Sequence, residues 1–145
     1  FLPSDIVSAF LWAQMENASE ITNARLKIWN KYHKAFLNLE KENFFQRPKI
    51  PNDVLHNAHM YFLLCKNSNH RADFIDHMNS LGIGTVFHYV PLHMSPYGQR
   101  LQSSSSDLNV SEEISEKLVR LPLWVDMTDE MVETVIAEVF KFFKK

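Results

Sequence analysis

The sequence predicts an α+β fold, with helices packed on a small antiparallel sheet, and three observations carry that expectation. Apolar residues recur at helical spacing over residues 19–39 and again after Thr128. MYFLLC, residues 60–65, is a continuous apolar run too short for a helix and suited to a strand covered on both faces. GTVFHYV, residues 84–90, is a second extended run, and it follows a glycine-marked helix end. The resulting order ααβαβαα, without internal repeats, fits helices layered on a sheet. With 145 residues, 46% of them hydrophobic, the chain suits a single domain spanning 1–145.

Each element has a local cause. In LPSD, Ser4 is a good N-cap and Asp5 suits the positive first turn, so a helix starts there. Ile6, Ala9, Phe10 and Ala13 recur at helical spacing, widened by Leu11 and Trp12, and the helix halts near Glu16–Asn17. A longer helix starts near Ser19 with Ile21, Ala24, Ile28, Tyr32, Ala35 and Leu39 on one stripe, and Trp29 and Phe36 beside it. PKIPND, residues 48–53, breaks the pattern with two prolines. After the 60–65 strand, Asn69 is expected to cap a helix carrying Phe74, Ile75, Met78 and Leu81 and ending at Gly82. Residues 91–110 read as loop, with the SSSS tip at 103–106 low in complexity. Ser111 is expected to cap a short helix reaching about Leu118, and the sheet gains a strand near 120–124. Thr128 caps the last helix, whose buried face is Val132, Val135, Ile136, Val139, Phe140 and Phe143.

Composition removes several function classes. A formal charge of −2 with no basic block gives a polyanion nothing to bind, so nucleic acid is not an expected partner. Cys65 is the single cysteine, which excludes an internal disulfide and a thiolate zinc cage and suits a reducing, cytoplasmic setting. No apolar run approaches the roughly 20 residues that span a bilayer, so no membrane partner is expected. The chain starts at Phe1 without an initiator methionine, as an excised piece of a longer protein would.

The ring-bearing stretch FHYVPLH, residues 87–93, holds the best candidate site. A strand end is held rigidly while the loop after it lets a ligand approach, which makes His88, Tyr89 and His93 candidate binding residues. On strict alternation His88 points opposite to Tyr89. The competing reading is a set of satisfied structural side chains. His56-x-x-His59 could place two imidazoles near each other, but a zinc site needs three or four ligands, and a hydrogen-bonded pair at a strand mouth is the simpler expectation. Gly82-x-Gly84 lies between helix and strand, the reverse of a dinucleotide fingerprint. The serines at 103–106 lack a strand–turn–helix elbow, and no lysine sits in an apolar context that would prime it for imine chemistry.

Several segments resemble one family. FLPSDIVSAFLWAQME is similar to a helix motif of the DegT/DnrJ-type nucleotide-sugar aminotransferases, Y-x-(L/P)-(S/T)-(D/E)-I-x-A-A-x-x-x-x-Q-L-E. LGIGTVFHYVPLHMSP resembles their G-I-x-(T/A)-x-x-H-Y-x-P-L-H-x-x-P signature, and RLPLWVDMTDEMVETVIAEV resembles their terminal segment. The family consists of fold-type I enzymes that use pyridoxal phosphate. The resemblance therefore implies a small C-terminal domain of such a transferase, with the large cofactor-binding domain absent. The family's S-x-H-x-x-K motif is not found, so the resemblance implies no catalytic, cofactor-binding or metal-binding residue in this chain, and no activity without the imine lysine. It implies that His88, Tyr89 and His93 orient the nucleotide sugar across the domain junction. Within the family the segments are most similar to the branch that makes dTDP-4-amino-4,6-dideoxygalactose from dTDP-4-oxo-6-deoxyglucose for surface polysaccharide. Glutamate is the implied amino donor and a homodimer the implied assembly.

The alternative is a free-standing regulatory or interaction module of the same shape. Under either reading, the faces of the first two helices are expected to contribute an exposed apolar docking patch.

Overall fold

The computed structural model describes residues 2–101 and 108–144. Seven helices are present among these residues: α1 (Asp5–Glu16), α2 (Ala18–Ala35), α3 (Leu37–Lys41), α4 (Ser68–Ser80), α5 (Pro96–Leu101), α6 (Asn109–Lys117) and α7 (Asp129–Phe143). Four strands, β1 (Phe45–Gln46), β2 (Tyr61–Cys65), β3 (Val86–Phe87) and β4 (Leu118–Leu121), form one antiparallel sheet in the order β1-β2-β4-β3. Helices packed on a small antiparallel sheet are what the periodicity predicts.

The core lies between one face of this sheet and α2, α4 and α7. Tyr61 and Leu63 of β2 and Val119 of β4 are fully covered, as are Tyr32, Phe36, Phe74, Met78, Val132 and Val139 from the helices or their ends. Burial of each large apolar side chain contributes about 1.5–3 kcal/mol. The Tyr32 hydroxyl donates to the Pro122 carbonyl at 3.0 Å, satisfying the polar tip of an otherwise apolar ring. Burial pushes the Tyr32 and Tyr61 phenols above their ordinary value and the Cys65 thiol up to about 12, so none of the three ionises near neutrality.

Several boundaries move. Asn67, not Asn69, caps α4: its Oδ1 accepts from the His70 N–H at 2.8 Å. The long second helix breaks at Phe36, although Leu39 stays fully buried in α3. β1 was not expected, and the strand placed near 120–124 occupies 118–121. Gly82 adopts φ +74°, and the backbone N–H groups of Gly82 and Ile83 return to Asn79 and Met78, closing α4 as the glycine predicts. Ser4 and Thr128 cap α1 and α7, accepting from Val7 and Met131. Ile136 and Phe140, expected in the buried face of α7, are only partly covered.

The apolar face of α1 packs little. None of its residues is buried, and Ile6, Phe10 and Trp12 are 73%, 72% and 67% exposed. α2, expected to share this patch, contributes no exposed large apolar side chain among the described residues, because its stripe faces the core.

Candidate functional site

The candidate site is built where the chain leaves the sheet. β3 pairs with β4 only through Val86–Arg120 and Phe87–Val119, so the extended run expected over 84–90 ends at Phe87. Without a ladder beyond that point, strict alternation stops holding. His88 and Tyr89, expected on opposite faces, lie side by side with ring centroids 4.5 Å apart and planes tilted by 55°. Pro91 then turns the chain into a 3₁₀ turn at Leu92–Met94, and α5 follows. Residues 91–110 were expected to be loop, and α5 is a correction to that. The serines at 103–106 lie outside the described residues.

A close approach holds the turn in place. A side chain on Gly98 would collide with the Leu92 carbonyl oxygen and the His93 Cα, so glycine is required there. Ser95 ties the corner: its hydroxyl donates to the Leu92 carbonyl at 2.7 Å and accepts from the Gly98 N–H at 3.0 Å. His93 then points back across the site, its Nε2 2.9 Å from Oε1 of Glu112. α6, which carries Glu112, starts at Asn109 with Leu108 in the N-cap position and no side-chain cap bond, not at a Ser111 cap.

His88, Tyr89 and His93 line one hollow of ≈640 Å³, with Val110, Ile114 and Leu118 among its other walls. Strand end, turn and α6 thus bring the three predicted residues together. The hollow is apolar with a few ring nitrogens and hydroxyls, the usual make-up of a small-molecule site. Burial, then the positive Arg120 guanidinium and the His59 imidazole, hold His88 below its ordinary pKa. At neutral pH His88 is an uncharged imidazole, able to donate from one nitrogen and accept at the other.

The other histidine pair is not part of this hollow. His56 Nδ1 accepts from the Ala58 N–H at 3.3 Å and its ring packs on Trp29 at 4.5 Å, while the His59 N–H donates to Asn57 Oδ1. The two imidazoles do not form the expected bonded pair. Among the described residues no group of three or more His, Cys, Asp or Glu could hold a metal ion. Pyridoxal phosphate, the cofactor the resemblance implies, does not fit the hollow as a covalent site. Its lining has neither a lysine amine nor a carboxylate for a pyridinium nitrogen, so no chemical step on the cofactor is assigned to these residues.

Two residues of the site gave no signal in the sequence. Glu112 reaches His93 across 19 positions, and Arg120 sits in a strand expected two residues later. Their placement is a product of the fold and leaves no local spacing to read.

The chain is 30% identical over 142 residues to the uncharacterised protein MJ1066 of Methanocaldococcus jannaschii, covering 95% of this chain and 36% of that protein. It is 26% identical over 140 residues to the spore coat polysaccharide biosynthesis protein SpsC of Bacillus subtilis, covering 93% and 35%. Among solved structures it superposes on Helicobacter pylori PseC, an aminotransferase involved in the biosynthesis of pseudoaminic acid. The TM-score there is 0.79 at 18% identity, over 92% of this chain and 35% of that one. Solved structures of similar fold include some holding the cofactor as PLP or as PMP. The chain spans about a third of the length of the curated relatives it matches. The sequence model of the DegT/DnrJ/EryC1/StrS aminotransferase family matches residues 4–140, nearly the whole chain, and the chain belongs to that family.

Proposed function

We propose that the chain is the C-terminal part of a pyridoxal-phosphate-dependent aminotransferase that moves an amino group from glutamate to a dTDP-linked 4-keto-6-deoxy sugar. The product is dTDP-4-amino-4,6-dideoxygalactose, destined for surface polysaccharide, and the enzyme is a cytoplasmic homodimer. The family membership and the printed roles of SpsC and PseC support a sugar substrate. No helix among the described residues is long and apolar enough to cross a membrane.

One observation carries the assignment of the site: His88, Tyr89 and His93 converge on a single hollow in a chain of this family. The cofactor, when bound, supplies the electron sink for amino transfer, and its imine lysine belongs to polypeptide other than this chain. This chain's part is positioning. His88 offers an uncharged imidazole to a sugar hydroxyl or carbonyl, Tyr89 offers a ring face and a phenol, and Glu112 fixes the ring of His93. The apolar walls exclude water from that side of the sugar.

The test is an assay of a longer protein that carries this chain, supplied with pyridoxal phosphate, glutamate and dTDP-4-oxo-6-deoxyglucose. Amino-sugar formation is expected from the longer protein, and none from residues 1–145 alone. Absence of turnover with dTDP-, UDP- and GDP-linked keto sugars alike would remove the reading. The interaction-module alternative draws on the exposed apolar face of α1 and predicts a binding partner and no turnover in any form.

A further inference from the structure

Several cations of this molecule find acceptors. Lys31 pairs with Asp129 at 2.7 Å, Arg47 with Glu40 at 2.7 Å, and Lys144 with Glu42 at 3.1 Å. Arg71 donates to the Ser115 carbonyl at 2.7 Å. Arg120 differs. It lies at the centre of the sheet in β4, opposite Phe62 on one side and Val86 on the other. Directly opposed residues in antiparallel strands project to one face, so Phe62, Arg120 and Val86 share a face. It is the face opposite Leu63 and Val119, which the helices cover. The Arg120 Nε is shielded from solvent with no acceptor, and among the described residues its guanidinium makes no hydrogen bond or ion pair. Its Cζ lies 5.7 Å from the centroid of the Tyr89 ring.

An unpartnered imidazole nitrogen stands near Arg120. His88 stands beside Tyr89, and its Nδ1 is shielded and unpartnered too. Burial first, then the charges of Arg120 and His59, lower the pKa of His88. Arg120 has unsatisfied N–H donors to offer an anion. The planar guanidinium fork matches the two oxygens of a carboxylate or phosphate.

We propose that Arg120, with Tyr89 over its guanidinium and His88 beside that ring, is an oxyanion site taking a carboxylate or phosphate group of a small-molecule ligand. The site adjoins the hollow through Tyr89, so the anion is one end of the ligand whose uncharged portion occupies that hollow. This deepens the proposed function, and rests on it, by supplying the wall with an anchor for either the amino donor's carboxylate or the diphosphate of the nucleotide sugar. The two share their chemistry and can be told apart by titration.

The experiment follows the imidazole NMR signals of His88 and His59 in the 145-residue chain at constant ionic strength. Separate arms use inorganic phosphate, thymidine diphosphate and glutamate, with chloride as control. A saturable shift at His88 is expected in at least one arm, weakened tenfold or more in Arg120→Gln. Arg120→Lys keeps the charge without the fork and is expected to bind at an intermediate level, so an unfolded glutamine variant does not end the test. Response to glutamate alone assigns the donor carboxylate. Response to thymidine diphosphate and phosphate assigns the nucleotide. No saturable response in any arm, or undiminished binding in folded Arg120→Gln, overturns the proposal. Binding is read without turnover, so failure here is separate from failure of the aminotransferase reading.

Discussion

His93 and Glu112 meet across the site, Nε2 to Oε1 at 2.9 Å, although one lies in a 3₁₀ turn and the other on a separate helix. This contact bridges two walls of the hollow. Glu112 is partly exposed, so the pair is worth about 0.5–1 kcal/mol after solvent screening. Glu112→Ala is expected to lower the midpoint of thermal unfolding by about 2–4 °C and to increase proteolytic nicking near residues 91–101. Glu112→Gln, which retains an acceptor, is expected to lose less. Equal melting and nicking in all three proteins would mean that the contact does not hold the turn.

Gly98 gives a sharper test of how that turn is held. An alanine there meets backbone, which cannot move aside as a flexible side chain would, so Gly98→Ala is expected to cost about 1–3 kcal/mol. Gly84→Ala meets nothing within 4 Å and is expected to be nearly neutral. Urea unfolding of the two variants checks the contrast. A Gly98→Ala protein as stable as Gly84→Ala would contradict the close approach.

Acid sensitivity should trace to His33. Its ring stacks on Trp29 at 4.4 Å, and burial, with the Arg47 charge next, holds its pKa below the ordinary 6.5. The unfolded chain therefore takes up the proton first as pH falls. The group's contribution is complete above that ordinary value and is lost as pH drops towards the lower folded value. His88, depressed in the same direction, adds to the loss. Urea midpoints at pH 7.5 and 5.5 are expected to fall more in the wild type than in His33→Gln. Identical falls would place the acid sensitivity elsewhere.

The uncovered face of α1 predicts association. Phe10 and Trp12 are more than half exposed on a helix that buries none of its residues, so they drive contact between molecules at high concentration. Phe10→Glu is expected to reduce association by sedimentation while changing unfolding stability by less than about 0.5 kcal/mol, as a surface substitution should. Unchanged association in that variant would exclude this face.

Element type was legible where one segment contains its own reason. Thr128 followed by the α7 stripe, Gly82 at the end of α4, and the apolar run that forms β2 all carry local chemistry that survives in the fold, although β2 buries only Tyr61, Leu63 and Cys65 and is not covered on both faces. Legibility ends where partners are distant. β3 extends only as far as β4 supports it, which no reading of GTVFHYV alone could measure. α5 was hidden because its corner depends on Ser95 and on the contact between Gly98 and Leu92, not on an apolar stripe. Of the site, FHYVPLH showed His88, Tyr89 and His93. Glu112, the partner of His93, and the unpaired Arg120 became visible only once α6 and β4 were placed.

The most direct test is a crystal structure of a longer protein carrying this chain, with cofactor and the dTDP-linked keto sugar bound. The sugar ring should lie within about 3 Å of a nitrogen of His88 or His93, with Tyr89 beside it. A sugar held elsewhere, with the hollow at residues 88–93 open to bulk water, would contradict the account.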